Sequence, residues 1–198
     1  MKPADIDSHP APFSKEIRLS SGQPARLRPL RRDDAPRLGQ YFIHLSAATR
    51  RVYAPHAFDQ ETADQICATL DSSQALRLLA VLGTGEAEQI IGYFILVFQV
   101  HEGDRQRYER LGITLDQDSD CTLAPSVADA HQSAGLGSIM LEHLRWIARS
   151  CGRRRMVLWG GVRQDNPRAV HFYRKFGFEE KGEFMAGGVN NYDMIAQL

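Results

Sequence analysis

Hydrophobic positions in the first half of the chain follow the two-residue period of strands in some segments and the 3.6-residue period of helices in others. Apolar runs predict strands at residues 25–30, 77–82 and 90–100, with a hairpin turn at 83–85. Helices are predicted after the first strand: Asp33 and Asp34 supply N-cap chemistry for one, Ser46 begins a second that runs through Tyr53, and residues 60–70 have helical spacing. Residues 101–119 are polar and charged, which predicts a loop or a partly helical excursion.

The second half of the chain repeats this alternation of strand and helix patterns. Strands are predicted at residues 121–128, 155–162, 178–184 and 191–196. From residue 136 to 149 the apolar side chains share one helical face, and polar side chains occupy the opposite face. Asn166 and Pro167 predict the start of a further helix, which Gly177 ends. The predicted order is β-α-α-β-β-β-α-β-α-β-β, which is an α/β or α+β domain built on one sheet.

Length and composition indicate one globular domain with a substantial core. The 198 residues are 43% hydrophobic and 24% charged, and their formal net charge is zero, which argues against a global attraction to nucleic acid. The two arginine clusters, at 26–32 and 153–155, lack interleaved aromatic residues, which argues against a nucleic-acid interface as well. The first 24 residues contain four prolines and are predicted to form a tail or loosely attached arm, so that the domain proper spans residues 25–198.

Cysteine usage and hydropathy favour a reducing, aqueous compartment. Cys67, Cys121 and Cys151 are odd in number and widely spaced, and they form neither a metal-ligand pattern nor a disulfide framework. The longest apolar run, residues 90–98, is too short to span a bilayer. The first residues lack the apolar segment of a signal peptide. We therefore expect a cytoplasmic protein with no metal and no membrane partner.

A glycine-rich heptapeptide at residues 132–138, Gln-Ser-Ala-Gly-Leu-Gly-Ser, joins a predicted strand to the amphipathic helix. Two glycines allow a tight turn with no Cβ in the way of a bulky anion. The first amides of the helix have no intrahelical partner and lie beside the positive end of the helix dipole. The heptapeptide alone therefore predicts either a phosphate-binding loop or an ordinary glycine turn before a helix, and the residues around it decide between the two. A nucleotide-binding P-loop is disfavoured because no Lys-Ser/Thr pair follows Gly137.

Two spaced motifs together resemble those of the GNAT superfamily, the acetyl-CoA-dependent N-acetyltransferases. Gln132-x-x-Gly135-x-Gly137 resembles the pyrophosphate loop of that family, and Asn166 with Ala169, Tyr173 and Gly177-Phe178 resembles its later helix. The resemblance covers roughly residues 25–198, and the two motifs are specific jointly rather than singly. A fainter likeness, carried by His131 and by residues 141–144, is to the protein-lysine acetyltransferase branch.

The resemblance implies a fold, a cosubstrate and a reaction. The fold is a single mixed, largely antiparallel sheet, flanked by helices and splayed between its fourth and fifth strands, where the pantetheine arm of acetyl-CoA enters. The reaction is acetyl transfer to a primary amine (a protein lysine, an N-terminus or a small molecule) by direct attack in a ternary complex. Dimers are common in the family. The implied cofactor-binding residues are Ser126, Val127, Gln132, Ser133, Ala134, Gly135, Leu136, Gly137, Ser138 and Asn166.

Tyr173 is the catalytic residue that the resemblance implies. In the family this tyrosine lies near the thioester sulfur and protonates the departing thiolate. A phenol has a pKa of about 10 and a thiol of about 8.5, so this proton transfer depends on the surrounding site. Packing beside Phe172 and Phe176 is the alternative role for Tyr173, and an N-cap is the alternative role for Asn166.

The sequence departs from the family pattern at two positions, which favours a second hypothesis: a catalytically weak or inactive module that binds or senses acyl-CoA. Many members polarise the acetyl carbonyl with a backbone N–H seven residues before the motif glutamine, and here that residue is Pro125. Either a neighbouring amide substitutes, the register shifts, or carbonyl activation is weak. The glutamate that serves some members as general base is also missing, which leaves Asp120, acting directly or through water, with Tyr93 and His101 as weaker candidates.

The resemblance implies an acceptor pocket built from the first two helices, at about residues 33–70, and from the loop before the last strand. Its candidate contacts for an acidic or aromatic substrate are Arg50, Arg51, Tyr53 and His56, although solvated surface is the simpler role for each.

Overall fold

Nine strands form one mixed sheet in the computed structural model, which describes residues 1–53 and 55–198. The sheet order is β1-β2-β3-β4-β5-β6-β9-β7, with β8 paired to β9, and every pair is antiparallel except β5–β6. The strands are β1 (Lys15–Arg18), β2 (Pro24–Pro29), β3 (Ala75–Leu82), β4 (Gln89–Val97), β5 (Asp120–Val127), β6 (Arg155–Leu158), β7 (Val162–Arg163), β8 (Glu179–Ala186) and β9 (Val189–Gln197).

Helices cover both faces of this sheet. They are α1 (Ala35–His44), α2 (Ala47–Val52), α3 (Gln60–Ala68), α4 (Glu102–Arg110), α5 (Leu136–Ser150) and α6 (Pro167–Lys175). Side chains of α1 and α3 pack on one face of β3 and β4, and side chains of α5 and α6 pack on the other. Because both faces are buried, these central strands are apolar nearly throughout, which explains their continuous hydrophobic runs in the sequence. In the described part of the chain, no helix has both the length and the apolarity that crossing a membrane requires.

The first 24 residues lie against the sheet, whereas their proline content predicted a tail or a loose arm. The strand β1 pairs with β2, from Lys15 opposite Leu27 to Arg18 opposite Pro24. Ile6 and Phe13 are buried in the same core as α5. Burial of these two apolar side chains attaches the segment more strongly than its prolines would suggest.

Two local predictions need correction. Asp34 was predicted to cap α1, but its carboxylate accepts hydrogen bonds from the Arg28 guanidinium, at 2.6 and 2.7 Å, and from the Arg31 amide, at 2.8 Å. A charged partner from β2 therefore replaces the expected cap. The predicted strand at 155–162 is broken into β6 and β7, because Gly160 and Gly161 adopt φ values of 65° and 70° that a continuous strand does not allow.

The parallel pair β5–β6 separates part-way along its length. The two strands pair from Asp120 opposite Arg155 to Leu123 opposite Leu158, and the Trp159 amide donates the next hydrogen bond, at 2.9 Å, to the Leu123 carbonyl. Beyond this point β5 continues to Val127 while the neighbouring chain turns away at Gly160. The family numbering begins at the predicted opening strand, which is β2 in this structure. The strands β5 and β6 are therefore the fourth and fifth strands of the family numbering.

Candidate active site

A cleft of about 890 Å³ opens where β5 and β6 separate. Its walls come from the last residues of β5, the glycine-rich loop, α6, the end of α2 and the segment from Leu158 to Arg163. Of the cofactor-binding residues that the sequence predicts, the cleft wall contains Ser126, Val127, Gln132, Ser133, Gly135, Gly137, Ser138 and Asn166. Ala134 and Leu136 lie in the same loop, and the Leu136 side chain is buried beneath it. The structure thus brings the two sequence motifs to one site.

Hydrogen-bond alternation along β5 decides which backbone groups face the gap. The Ala128 amide bonds to the Ile91 carbonyl on the β4 side, at 3.0 Å, and the Leu123 carbonyl accepts from Trp159 on the opposite side. Successive residues of a strand direct their backbone groups to opposite sides, so Pro125 and Val127 face the gap. Proline is tolerated in this strand because its missing N–H removes no bond to β4. Leu123 is the last residue of β5 that pairs with β6. Beyond it, Val127 is the only described residue of β5 whose amide N–H faces the gap.

The glycine-rich loop presents a row of amides at the amino end of α5. Ser133 and Gly135 have left-handed backbone, with φ of 59° and 85°, and Gly135 occupies the N-cap position of this 15-residue helix. Among the described residues, no protein acceptor bonds the amides from Ser133 to Gly137. A Cβ at Gly137 would lie 3.6 Å from Phe172 and 3.8 Å from Val127, which is ordinary van der Waals contact, so the base of the loop packs against α6 and β5. Such a row of free amides, aligned with the helix dipole, can hold a diphosphate.

Side chains tie this loop to β5 and α2. The Gln132 amide nitrogen donates to the Val127 carbonyl, at 2.9 Å, and to the Thr49 hydroxyl, at 3.2 Å. The Asp129 carboxylate accepts from the Ser46 amide and from the Ser46 and Thr49 hydroxyls, at 2.9, 2.7 and 2.7 Å. Burial raises the pKa of Asp129, but these hydrogen bonds outweigh burial and hold the pKa below its ordinary value. Gln132 therefore contacts the loop's own scaffold, which holds the loop amides in place.

Tyr173 lies in α6 with its ring packed against the rings of Phe172 and Phe178, at centroid distances of 5.5 and 5.3 Å. Its side chain is 7% exposed and lines the cleft. No hydrogen bond to the Tyr173 hydroxyl is found among the described residues. Burial raises the pKa of the phenol above its ordinary value. Asn166 accepts a hydrogen bond from the Ala169 amide, at 3.2 Å, and so caps α6 as the sequence predicts.

The three residues that the sequence suggested as a general base all lie outside the cleft wall. Asp120 is buried at the opposite end of β5, where Arg155 donates to it at 2.8 and 2.5 Å. Tyr93 is buried, accepts a hydrogen bond from Arg77 at 3.2 Å, and has a pKa that burial raises to about 12. His101 stacks on Trp159, with 4.0 Å between the ring centroids. Asp120 and Tyr93 are bonded to arginines and His101 lies outside the cleft wall, so none of the three is retained as a base.

The four predicted acceptor contacts separate into two groups. Arg51 and Tyr53 line the cleft, and the Tyr53 hydroxyl donates to the Ala124 carbonyl at 3.4 Å. Arg50 instead donates to the Phe42 carbonyl at the end of α1, at 3.0 Å. His56 lies 4.9 Å from the Phe42 ring in an aromatic cluster, and burial lowers its pKa. Ala54, within the predicted acceptor region, lies outside the described residues.

The segment 158–163 forms one wall of the cleft that the hydrophobic pattern did not predict. Trp159 and Arg163 line the cleft there because the chain turns at Gly160 and Gly161. The adjacent glycines were the available signal, but the prediction of a continuous strand concealed it.

Comparison with known proteins agrees with this architecture. The sequence model of the acetyltransferase (GNAT) family matches residues 41–178, which is more than half of the chain. The chain belongs to the GNAT family. It is 29% identical over 138 residues to an acetyltransferase of Pseudomonas aeruginosa, which covers 70% of this chain and 67% of that protein. These findings support membership in a family of acetyltransferases.

Solved structures share the GNAT fold at low identity. The GNAT domain of S. lividans PAT aligns with a TM-score of 0.74 and 23% identity, over 96% of this chain and 99% of that domain. An aminoglycoside acetyltransferase in complex with coenzyme A and kanamycin aligns with a TM-score of 0.63 and 18% identity, over 86% of this chain and 93% of that chain. At these identities the likeness concerns the fold, including the single open sheet and its flanking helices.

Proposed function

We propose that this protein transfers an acetyl group from acetyl-CoA to a primary amine, with residues 25–198 as the catalytic domain. The observation that carries the proposal is the single cleft shared by the free loop amides, the gap-facing amide of Val127 and the hydroxyl of Tyr173. Coenzyme A needs an anion site, a donor along its pantetheine arm and an acid near its sulfur. The GNAT neighbour that contains coenzyme A and kanamycin, an amine, supports the same cosubstrate and acceptor chemistry.

In this proposal the glycine-rich loop binds the pyrophosphate. The free amides from Ser133 to Gly137 contact it, and Ser138 lies in the same cleft wall. The Val127 amide binds the pantetheine arm beside Ser126, whose hydroxyl is held by the Tyr41 hydroxyl at 2.7 Å. Asn166 presents its amide nitrogen to the cleft while its oxygen caps α6.

The bound cosubstrate supplies an acetyl group activated as a thioester. The neutral acceptor amine forms the new C–N bond, the C–S bond breaks, and the amine loses a proton to solvent. Tyr173 donates its phenolic proton to the departing sulfur and regains a proton from water. The raised pKa of Tyr173 keeps the phenol protonated at neutral pH, so the phenol has a proton to donate in this step. The protein thus orients both reactants and holds one proton at the Tyr173 oxygen.

A catalytically weak or inactive acyl-CoA-binding module is the second candidate function. Pro125 favours it, because this residue faces the gap and has no N–H to polarise the acyl carbonyl. Binding of acetyl-CoA is common to both candidates. Release of coenzyme A that depends on an amine and on Tyr173 belongs to the first candidate only.

Acetyl-CoA binding is tested by calorimetry with a matched pair of glycine substitutions. Gly137 and Gly103 are each the second residue of a helix, α5 and α4 respectively. Gly137→Glu places bulk and a negative charge at the proposed phosphate site, so we expect affinity for acetyl-CoA to fall about 100-fold or more. Gly103→Glu has open space around its Cβ and should bind like the parent. Equal binding by both variants would contradict the assignment of the loop.

The pH profile tests the state of Tyr173. Burial raises its pKa above about 10, and an acid acts only while protonated, so its contribution persists through neutral pH and is lost only above that range. The acceptor amine, in contrast, becomes reactive as pH rises. We expect kcat/KM for the amine to increase from pH 6 and show no decline below about pH 9.5. A decline centred near pH 7 to 8 would assign the proton to another group.

A further inference from the structure

The acceptor side of the cleft has an arginine pair that shares one aspartate. Arg163, from β7, makes two hydrogen bonds to the Asp165 carboxylate, at 2.9 and 2.8 Å. Arg51, from α2, lies 3.8 Å from the same carboxylate. Both arginine side chains line the cleft, whereas Asp165 does not. Two guanidinium groups and one carboxylate leave a single uncompensated positive charge at this point.

Arg51 is the arginine that can accept a further partner. Asp165 occupies the Arg163 guanidinium with two parallel bonds, and the Arg163 side chain is 20% exposed. The Arg51 side chain is 64% exposed, and its 3.8 Å contact is longer than a hydrogen bond. Its planar fork of donors is therefore available, and such a fork binds a carboxylate with two parallel bonds.

The rest of the acceptor side fits an anionic rather than a polycationic molecule. Among the described residues of the cleft wall, every formally charged side chain is basic: Arg51, Arg163, Arg168 and Lys175. Arg168 and Lys175 belong to α6, whose Phe172 lies against Gly137, so they flank the proposed phosphate loop. Arg51 belongs to α2 and Arg163 to the segment 158–163, and these two walls also contribute Tyr53 and Trp159 to the cleft. A polycation such as a polyamine would meet repulsion at every charged contact.

The cleft wall at Trp159 is held in place by two residues that do not themselves line the cleft. His101 stacks on Trp159 with the two rings 21° from parallel, and the Gly160 amide donates to the Asp104 carboxylate at 3.0 Å. A wall that is already ordered costs little entropy when it contacts a substrate. The acceptor side therefore combines a fixed apolar surface with one free guanidinium.

We propose that the acceptor is a primary amine that also carries a carboxylate, and that Arg51 binds this carboxylate. The inference rests on the proposed function, since it names the acceptor class of the same site. Two sources share this chemistry: a free amino acid, and a peptide whose N-terminal amine is followed by an acidic side chain. Arg51 acts as a specificity-determining residue, because it contacts the acceptor without taking part in proton transfer.

Two matched pairs of acceptors test the proposal in a coenzyme A release assay. The free amino acid source is represented by L-phenylalanine and L-phenylalaninamide. The peptide source is represented by an amidated tripeptide with glutamate in second place and its counterpart with glutamine. We expect the carboxylate member of one pair to have a kcat/KM about 10- to 100-fold higher than its neutral partner. The pair that shows this preference identifies the source.

Arg51→Gln should abolish the preference, because kcat/KM is expected to fall for the carboxylate member of the pair towards the value of its neutral partner. Arg149→Gln, on an exposed position of α5, is the matched control and should retain the preference. The acceptor proposal is overturned if neutral members react equally well in both pairs, if the preference survives Arg51→Gln, or if none of the four reacts while acetyl-CoA binds. If the unsubstituted protein does not bind acetyl-CoA, the proposed function itself is overturned.

Discussion

Replacing Tyr173 with phenylalanine is expected to lower kcat by about 10²- to 10⁴-fold, the usual contribution of a positioned general acid. The phenyl ring keeps the packing against Phe172 and Phe178, so only the hydroxyl is removed. Without it the thiolate must leave as an anion or take its proton from water. Because the hydroxyl would act on the sulfur in the transition state, the Kd for acetyl-CoA should stay within about twofold of the parent value. Steady-state kinetics and calorimetry on the same preparation separate the two quantities.

Tyr108→Phe is the matched control for this prediction. Tyr108 is fully buried in a separate cluster with Val100 and Val157, and its hydroxyl is among the buried polar groups without a hydrogen-bond partner in the described residues. Removing that hydroxyl should leave kcat unchanged. A Tyr173→Phe enzyme as active as the Tyr108→Phe enzyme would show that the phenol is not the acid. Absence of amine-dependent turnover in the parent and both variants, with acetyl-CoA bound, would favour the binding module.

Asp34→Ala is expected to lower the free energy of unfolding by about 3 kcal/mol, because it leaves a buried guanidinium short of a partner. The Arg28 and Asp34 side chains are each 1% exposed and are joined by two hydrogen bonds of 2.6 and 2.7 Å. Asp34 also accepts a hydrogen bond from the Arg31 amide, at the start of the turn into α1. Glu88 still contacts Arg28 at 2.7 Å, so the expected loss lies at the lower end of the range for broken buried pairs.

Urea unfolding measures this difference, with Glu180→Ala as the control. Glu180 pairs with Arg174 at 3.1 Å, but the two side chains are 34% and 59% exposed. Solvent screens such a pair, so its removal should change the free energy of unfolding by about 0.5 kcal/mol or less. Similar losses in the two variants would mean that burial does not strengthen the Arg28–Asp34 pair.

Several features of the site were predictable because they depend on neighbours close in sequence. The loop at 132–138, the Asn166 cap and the Gly177 helix end are specified by residues within a few positions of one another. Local backbone preferences act over the same distance, so spacing is a sufficient signal. The hydrophobic periods placed the central strands and α5 within a few residues of their observed ends for the same reason.

Other features depend on residues far apart in sequence. Asp34 pairs with Arg28 instead of capping α1, and Asp120 pairs with Arg155 instead of lying in the cleft. In both cases an arginine from another element neutralises a buried carboxylate, and a charge cannot be buried without such a partner. Spacing around either aspartate contains no information about that arginine.

By itself the sequence determined most of the strands and helices, the glycine-rich loop and the candidate acid Tyr173, because each depends on local periodicity or on a compact motif. It did not predict β1 or the break between β6 and β7. Only the tertiary structure decided that Asp120 pairs with Arg155 and that Arg51 approaches Asp165. The parallel pairing of β5 with β6 determines the first contact, and the approach of α2 to the β7–α6 turn determines the second. These are relations between distant segments, and they arise only when burial of the shared core brings the segments together.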